Sequence, residues 1–296
     1  MTAAELQAMT ARLFVDRAFR EWFRHAPRDA ARGYLLSAEE TDMISAVDDE
    51  RLAVYADSLR ERRRQAIATA YPLSRMVAGD DFERYADRYC DLNPGLPERE
   101  RVLGFGNYLR ECLEAEVRLP CFARDLAIYE RHLVDLRGLT AARFPTDTGV
   151  SSGTMLSLST VDSWGAAGRL DGSLSTVADL DADRDEARPW LSSRPRLASW
   201  ARVAVFDYDI PEIVADLERT GVPPAASPTP TGVVMRRVGE RTTPEIFRIE
   251  VRVAAMLLRC TGEPTVAALA EQCRLDPERL AALLASLATM QVIACW

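Results

Sequence analysis

PEIFRIEVRVAAMLLRCTGEPTVAALAEQCRLDPERLAALLASLATMQVIAC, residues 244–295, holds two hydrophobic periods side by side. Phe247, Ile249, Val251 and Val253 alternate with Arg248, Glu250 and Arg252, the period of a half-buried strand. Thr243-Pro244-Glu245 also has the form of a helix start. The spacing predicts a strand near 245–250 that passes into a helix near 252–260. TVAALAEQC then reads as a helix and RLD as a turn. Asp276-Pro277-Glu278 is a strong N-terminal signal for the helix through ERLAALLASLATM. QVIAC reads as a closing strand. Upstream, ARVAVFDYDI (201–210) alternates like a strand, and PEIVADLE (211–218) is a short helix opened by Pro211. After the Pro-rich turn GVPPAASPTPTG comes VVMRRV, a second strand. Strands, three helices with a tight helix-turn-helix and a terminal strand predict a winged-helix domain over 196–296.

Further toward the N-terminus the character changes twice. Residues 138–195 are rich in Ser, Thr, Gly and Asp, with eight acidic residues against four arginines between 145 and 195. This reads as a polar connecting segment, with short strands possible around Thr154–Thr160. Residues 1–137 read as helices throughout. Leu6, Met9, Leu13, Phe19, Trp22 and Phe23 recur at helical intervals, and Ser37-Ala-Glu-Glu40 is a capping box. Asp48 or Asp49 caps a long helix that Pro72 interrupts, since proline lacks the N–H and clashes with the preceding turn. Further helices fit SRMVAG, DDFERYADRYCDL, GFGNYLRECLEAE and CFARDLAIYERHLVDL. The expected fold class is α+β: an N-terminal α-helical bundle, 1–137, followed by a C-terminal winged-helix domain, 196–296.

The reactive inventory is thin. The 296-residue chain contains no lysine, so all 37 basic residues are arginine. Schiff-base chemistry, a phosphate-loop lysine and a lysine general base are therefore excluded. The two histidines, His25 and His132, are far apart and lie in no metal-ligand pattern. GxSxG, GxGxxG and Walker motifs are absent. The six cysteines, Cys90, Cys112, Cys121, Cys260, Cys273 and Cys295, are scattered and read as reduced, mostly buried thiols of a cytoplasmic protein. No apolar run approaches the roughly 20 residues of a membrane span, and MTAAELQAMTARLF lacks a signal-peptide pattern. The residues point away from an enzyme and toward a binding protein.

Two ligands suit a winged helix. Duplex DNA requires basic side chains on the second helix of the helix-turn-helix. PERLAALLASLATM carries only Arg279, and residues 196–296 hold eleven arginines against twelve acidic residues. With net charge −8 overall, a DNA-binding transcriptional regulator remains the alternative reading, and no nucleic acid is the expectation. An extended peptide added to a sheet edge beside a Leu- and Met-lined groove fits better. The strand residues Ile246, Phe247, Arg248 and Ile249 and the helix residues Leu280, Leu284, Leu287 and Met290 are the candidate peptide-binding set. The run Arg60, Arg62, Arg63 and Arg64 reads as a solvated helix face or a partner-docking patch. Asp207, Tyr208 and Asp209 read as turn residues or contacts for a basic peptide. Trp164 and Trp190 are candidates to anchor the polar segment on the helical bundle or on a partner.

RLAVYADSLRERRRQAIATAYPLSRMVAGDDFERYADRYCDLNP, with GFGNYLRECLEAE and LPCFARDLAIYERHLVDL, resembles the helical domain of the methanobactin-type (MbnC-like) partner proteins. The matching positions are Arg51, Val54, Tyr55, Tyr71-Pro72, Gly79 before Phe82, Pro94, Gly106, Leu109, Leu119-Pro120, Asp125 and Glu130, over about 80 residues. The C-terminal winged helix looks like a peptide-recognition element used for ribosomally made, post-translationally modified peptides. The resemblance implies a non-catalytic subunit in a heterodimer with a multinuclear non-haem iron-dependent oxidative enzyme (MNIO), a TIM barrel. The partner would carry the iron, and this chain no cofactor of its own. The chain would bind the precursor peptide's leader, with Arg51, Tyr55, Tyr71 and Pro72 as partner-docking candidates. The chain departs from the family in residues 1–48 and in the 138–195 insertion, and so resembles more closely the partner of the 3-thiaglutamate pathway or another diverged relative.

Overall fold

The computed structural model describes residues 3–116, 118–138, 188–239 and 243–295. The readings at Thr154–Thr160 and Trp164, and most of the polar segment, lie outside the described residues. Contacts divide the chain into two compact units: Met1–Val134 with Leu217–Pro223, and Asp135–Asp216 with Pro224–Trp296. The architecture is α+β and mostly helical, with a small region of five strands toward the C-terminus.

The first unit is built from α1 (Ala3–Val15), α2 (Arg17–His25), α3 (Pro27–Ala31), α4 (Ala38–Ser45), α5 (Asp49–Ala70), α6 (Pro72–Ala78), α7 (Asp80–Leu92), α8 (Glu98–Glu114) and α9 (Ala123–Arg137), the last turn of α9 belonging to the second unit. The helical period of residues 6–23 is divided at Asp16. Its backbone is extended, and its carboxylate accepts the Phe19 N–H at 2.9 Å, so it caps α2. The capping box forms as read: Ser37 Oγ accepts from Glu40 N at 3.2 Å, and Glu40 accepts from Ser37 N at 2.9 Å. Asp48 caps α5 by accepting from Glu50 N. α8 begins at Glu98, earlier than GFGNYLRECLEAE suggests. Pro97 precedes it, and Glu98 and Glu100 in its first turn suit the positive helix end.

Aromatic rings fill the centre of this unit. Phe105 packs edge-on against Tyr71 and Phe82, each at 5.4 Å between centroids, and against Tyr89 at 5.6 Å. Tyr71 is fully buried and donates its hydroxyl to the Val102 carbonyl at 2.8 Å. Burial pushes its pKa well above the ordinary tyrosine range. Gly106 explains itself here: a Cβ would lie 2.6 Å from Tyr71 Oη and 2.8 Å from Arg131 Cβ, so α8 and α9 approach too closely for a side chain. Buried Glu130 on α9 accepts from Leu73 N and Ser74 N, both at 2.8 Å, at the start of α6. A carboxylate at those two N–H groups satisfies donors that no helical carbonyl reaches. A smaller cluster of Met9, Leu13, Phe19, Phe23, Ala30 and Ala31 unites α1, α2 and α3.

In the second unit, β1 (Pro195–Leu197) pairs antiparallel with β5 (Ile293–Cys295). A separate antiparallel sheet has the order β2-β3-β4, with β2 at Ala201–Phe206, β3 at Thr231–Arg236 and β4 at Glu245–Ile249. α10 (Ile210–Thr220) lies between β2 and β3, and α11 (Val251–Leu257), α12 (Val266–Cys273) and α13 (Pro277–Thr289) follow β4. Thr265 and Asp276 cap α12 and α13 by accepting from Ala268 N and Arg279 N. Val203, Val234, Ala254, Leu257, Leu269, Leu280, Leu284 and Ile293 meet in one core. Trp190 packs against that core. Arg237, itself buried, donates to the carbonyls of Leu136 and Arg137 and so closes the C-terminal end of α9.

Candidate functional site

β4 carries the site because it is a terminal strand whose only strand partner among the described residues is β3. Its register sets Ile249 opposite Gly232, Phe247 opposite Val234 and Glu245 opposite Arg236. Alternate residues therefore turn their N–H and C=O groups to the unpaired side, where an incoming strand finds ready donors and acceptors. Phe247 and Ile249 are half-buried against the core, while Ile246, 39% exposed, and Arg248 stand on the other face. Gly232 permits this packing. A Cβ there would lie 2.8 Å from Ala254 Cβ and 2.9 Å from the Ile249 carbonyl oxygen.

Arg236 fixes the strand's beginning. Its guanidinium holds Glu245 Oε2 through Nε at 2.8 Å and through Nη2 at 2.7 Å. It also lies 5.2 Å from the Phe247 ring centroid and donates to the Met290 carbonyl just after α13. One planar cation thus joins β3, β4 and the end of α13. Met290 and Leu283 remain partly buried on the flank of the core. At the other end of β4, Arg248 pairs with Asp209 at 3.2 Å beside an open depression of about 590 Å³.

The expected peptide-binding set is divided. Ile246, Phe247, Arg248, Ile249 and Met290 retain accessible surface. Leu280, Leu284 and Leu287 do not: they are 2%, 0% and 8% exposed and are core residues. Their apolar side chains already fill the space that a peptide side chain would require, because a close-packed interior leaves no slot. Arg236, Gly232 and Leu283 shape the edge but were not among the expected residues. Only the alternation around 245–249 and the pairing charge of Arg236 signalled them.

The partner-docking set is likewise not one patch. Arg51 and Tyr55 are exposed near the start of α5, Tyr55 at 64%. Tyr71 is core and offers no contact surface, and Pro72 is exposed at the far end. Sixteen residues of helix separate Tyr55 from Tyr71, about 24 Å at 1.5 Å per residue. The arginine run also splits. Arg60 reaches Asp87 and Asp91 on α7, Arg64 reaches Glu61 and Glu83, and Arg62 is exposed. Asp209 is committed to Arg248 and to the start of α10, and Tyr208 is buried. The five cysteines whose side chains are described are free; Cys90 and Cys260 are buried, Cys112 and Cys273 partly so, and Cys121 is exposed, so two rather than most of these thiols are buried.

Among the described residues no three His, Cys, Asp or Glu side chains form a metal-binding group, and no helix is long and apolar enough to cross a membrane. A scan against protein-family models finds no match for the chain, and a search of curated proteins finds none either.

Proposed function

We propose that the chain is a non-catalytic accessory subunit that binds the leader of a ribosomally made precursor peptide and presents it to a separate iron-dependent oxidase of the MNIO class. The second unit acts as the winged-helix peptide-recognition element, and the helical first unit docks the oxidase. The observation that carries this reading is the side of β4 that has no strand partner among the described residues, flanked by Phe247, Ile249 and Met290. A peptide added there gains backbone hydrogen bonds for affinity and side-chain contacts for selection. The resemblance of residues 51–136 to methanobactin-type partner proteins supplies the identity of the enzyme partner. Exposed Val54 and Tyr55 on α5 supply apolar surface for docking. Duplex DNA is the weaker ligand, since α13 offers a single arginine and the chain is acidic.

Proline scanning tests the edge. Proline is tolerated in an edge strand only where the lost N–H faced outward. Of Phe247→Pro and Arg248→Pro, the variant that keeps its circular dichroism and thermal midpoint is the one with an outward N–H. In the full-length protein, that variant should bind a labelled peptide that the parent protein binds at least about tenfold more weakly than the parent does. Unchanged affinity in the folded variant removes β4 from the binding site. Saturable binding of duplex DNA at physiological salt, with none of peptide, overturns the function.

A further inference from the structure

A second site lies in the first unit, where α1, α2, α5 and α7 enclose a pocket of about 100 Å³. One ordered water needs roughly 10–15 Å³ by the same measure, so there is room for a group of several heavy atoms. Arg17, Arg20, Arg60 and Arg63 line it, with Asp57 and Asp91 as the only acidic residues on its wall. Arg60 is compensated twice, by Asp87 at 3.2 Å and Asp91 at 2.9 Å. Arg17 has Glu21 at 2.9 Å. Arg20 reaches no carboxylate and donates to the Leu13 carbonyl at 2.8 Å.

Arg63 is different. It is half-buried on the inner side of α5 and makes no hydrogen bond or ion pair among the described residues. Burial, and then the charge of Arg101, lower its pKa, while the arginine side chain remains protonated at any physiological pH. Asp57 is exposed and acts on Arg17 and Arg20 only through space. Arg63, with no bonded partner among the described residues, and Arg20, bonded only to backbone carbonyls, therefore line a small cavity together with the exposed carboxylate of Asp57. A partly desolvated cation without a counter-charge is costly, and a planar five-donor fork recognises an oxyanion with two parallel N–H···O bonds.

We propose that the pocket bounded by Arg20, Arg60 and Arg63 binds a small oxyanion, a phosphate or a carboxylate group. The decisive experiment titrates the full-length protein with inorganic phosphate and, separately, with acetate, at constant ionic strength set by chloride. Midpoint temperature and calorimetric heat are the readouts. Saturable binding is expected; a response to phosphate alone assigns the tetrahedral anion, and a response to acetate alone the carboxylate. Arg63→Met should weaken that binding at least about tenfold and raise the melting temperature of the anion-free protein, since it removes an uncompensated charge. Arg62→Met, an exposed neighbour on the same helix, should leave binding unchanged. Lack of a saturable response to either anion overturns the site. So does equal weakening by Arg62→Met and Arg63→Met, which would reflect the diffuse field of the helix.

Discussion

Replacing Glu130 should destabilise the first unit more than any exposed ion pair in it. The side chain is 3% exposed, and its two oxygens accept separately from Leu73 N and Ser74 N at 2.8 Å. Leu73 and Ser74 are buried as well, so no water takes the place of a lost acceptor. A hydrogen bond to a charged group contributes about 1.5–3 kcal/mol net, and leaving a buried donor unmet costs about 1–3 kcal/mol. Glu130→Ala orphans both N–H groups and should cost about 4 kcal/mol. Glu130→Gln keeps one oxygen and turns an amide toward the other N–H, for about 2 kcal/mol by the same reckoning. At roughly 3 °C per kcal/mol for a domain of this size, the Ala variant should melt about 12 °C below the parent. Urea unfolding followed by circular dichroism measures both, with an unchanged slope showing that only the midpoint moved. A Gln variant as stable as the parent would show that the charge contributes nothing. An Ala variant within about 0.5 kcal/mol of the parent refutes the whole account of how α6 begins.

Two further outcomes are expected. Leu284→Ala, at a position with no exposure, should cost about 2–5 kcal/mol of stability, and Met290→Ala, at a partly buried position, less; chemical denaturation of the two variants separates the core leucine from the flanking methionine, and near-parental stability of the Leu284 variant would contradict its assignment. The protein should also weaken in alkali. Burial raises the pKa of Tyr85 and Tyr89, pushes Tyr108 up to about 12 with help from Cys112, and raises that of the Cys90 thiol. The unfolded chain thus loses these protons first. Their stabilisation is complete below about pH 9 and is lost as pH rises through 10 toward 12; denaturant midpoints across that range, with tyrosinate absorbance alongside, should fall together.

The sequence announces the helices and strands through local signals that the chain cannot hide. Asp48, Thr265 and Asp276 cap the helices they precede, and the period-2 run at 245–249 forms a strand that becomes a helix after Glu250. Asp16 was overlooked because its signal lies inside a continuous apolar period, and only backbone geometry reveals the break. Depth was less legible than type. Leu280, Leu284 and Leu287 share one helical stripe whether they line a groove or fill a core, and periodicity is identical in the two cases. Tyr71 shows the same ambiguity, since an aromatic residue beside a proline suits an interface as well as an interior. The uncommitted Arg63 could not be read at all, because its lack of a partner depends on where Arg60, Arg64 and the acidic residues of α7 place their side chains.

β4 reaches Ile249 and α11 begins at Val251, with Glu250 the single residue between them. Such a joint has no slack to absorb a shift. A molecule that gripped the strand along the side with no strand partner among the described residues would therefore also restrain the first turn of α11, whose Ala254 sits in the core. Occupancy of the edge would then be felt one element downstream, as slower exchange of amide protons that the bound molecule never touches.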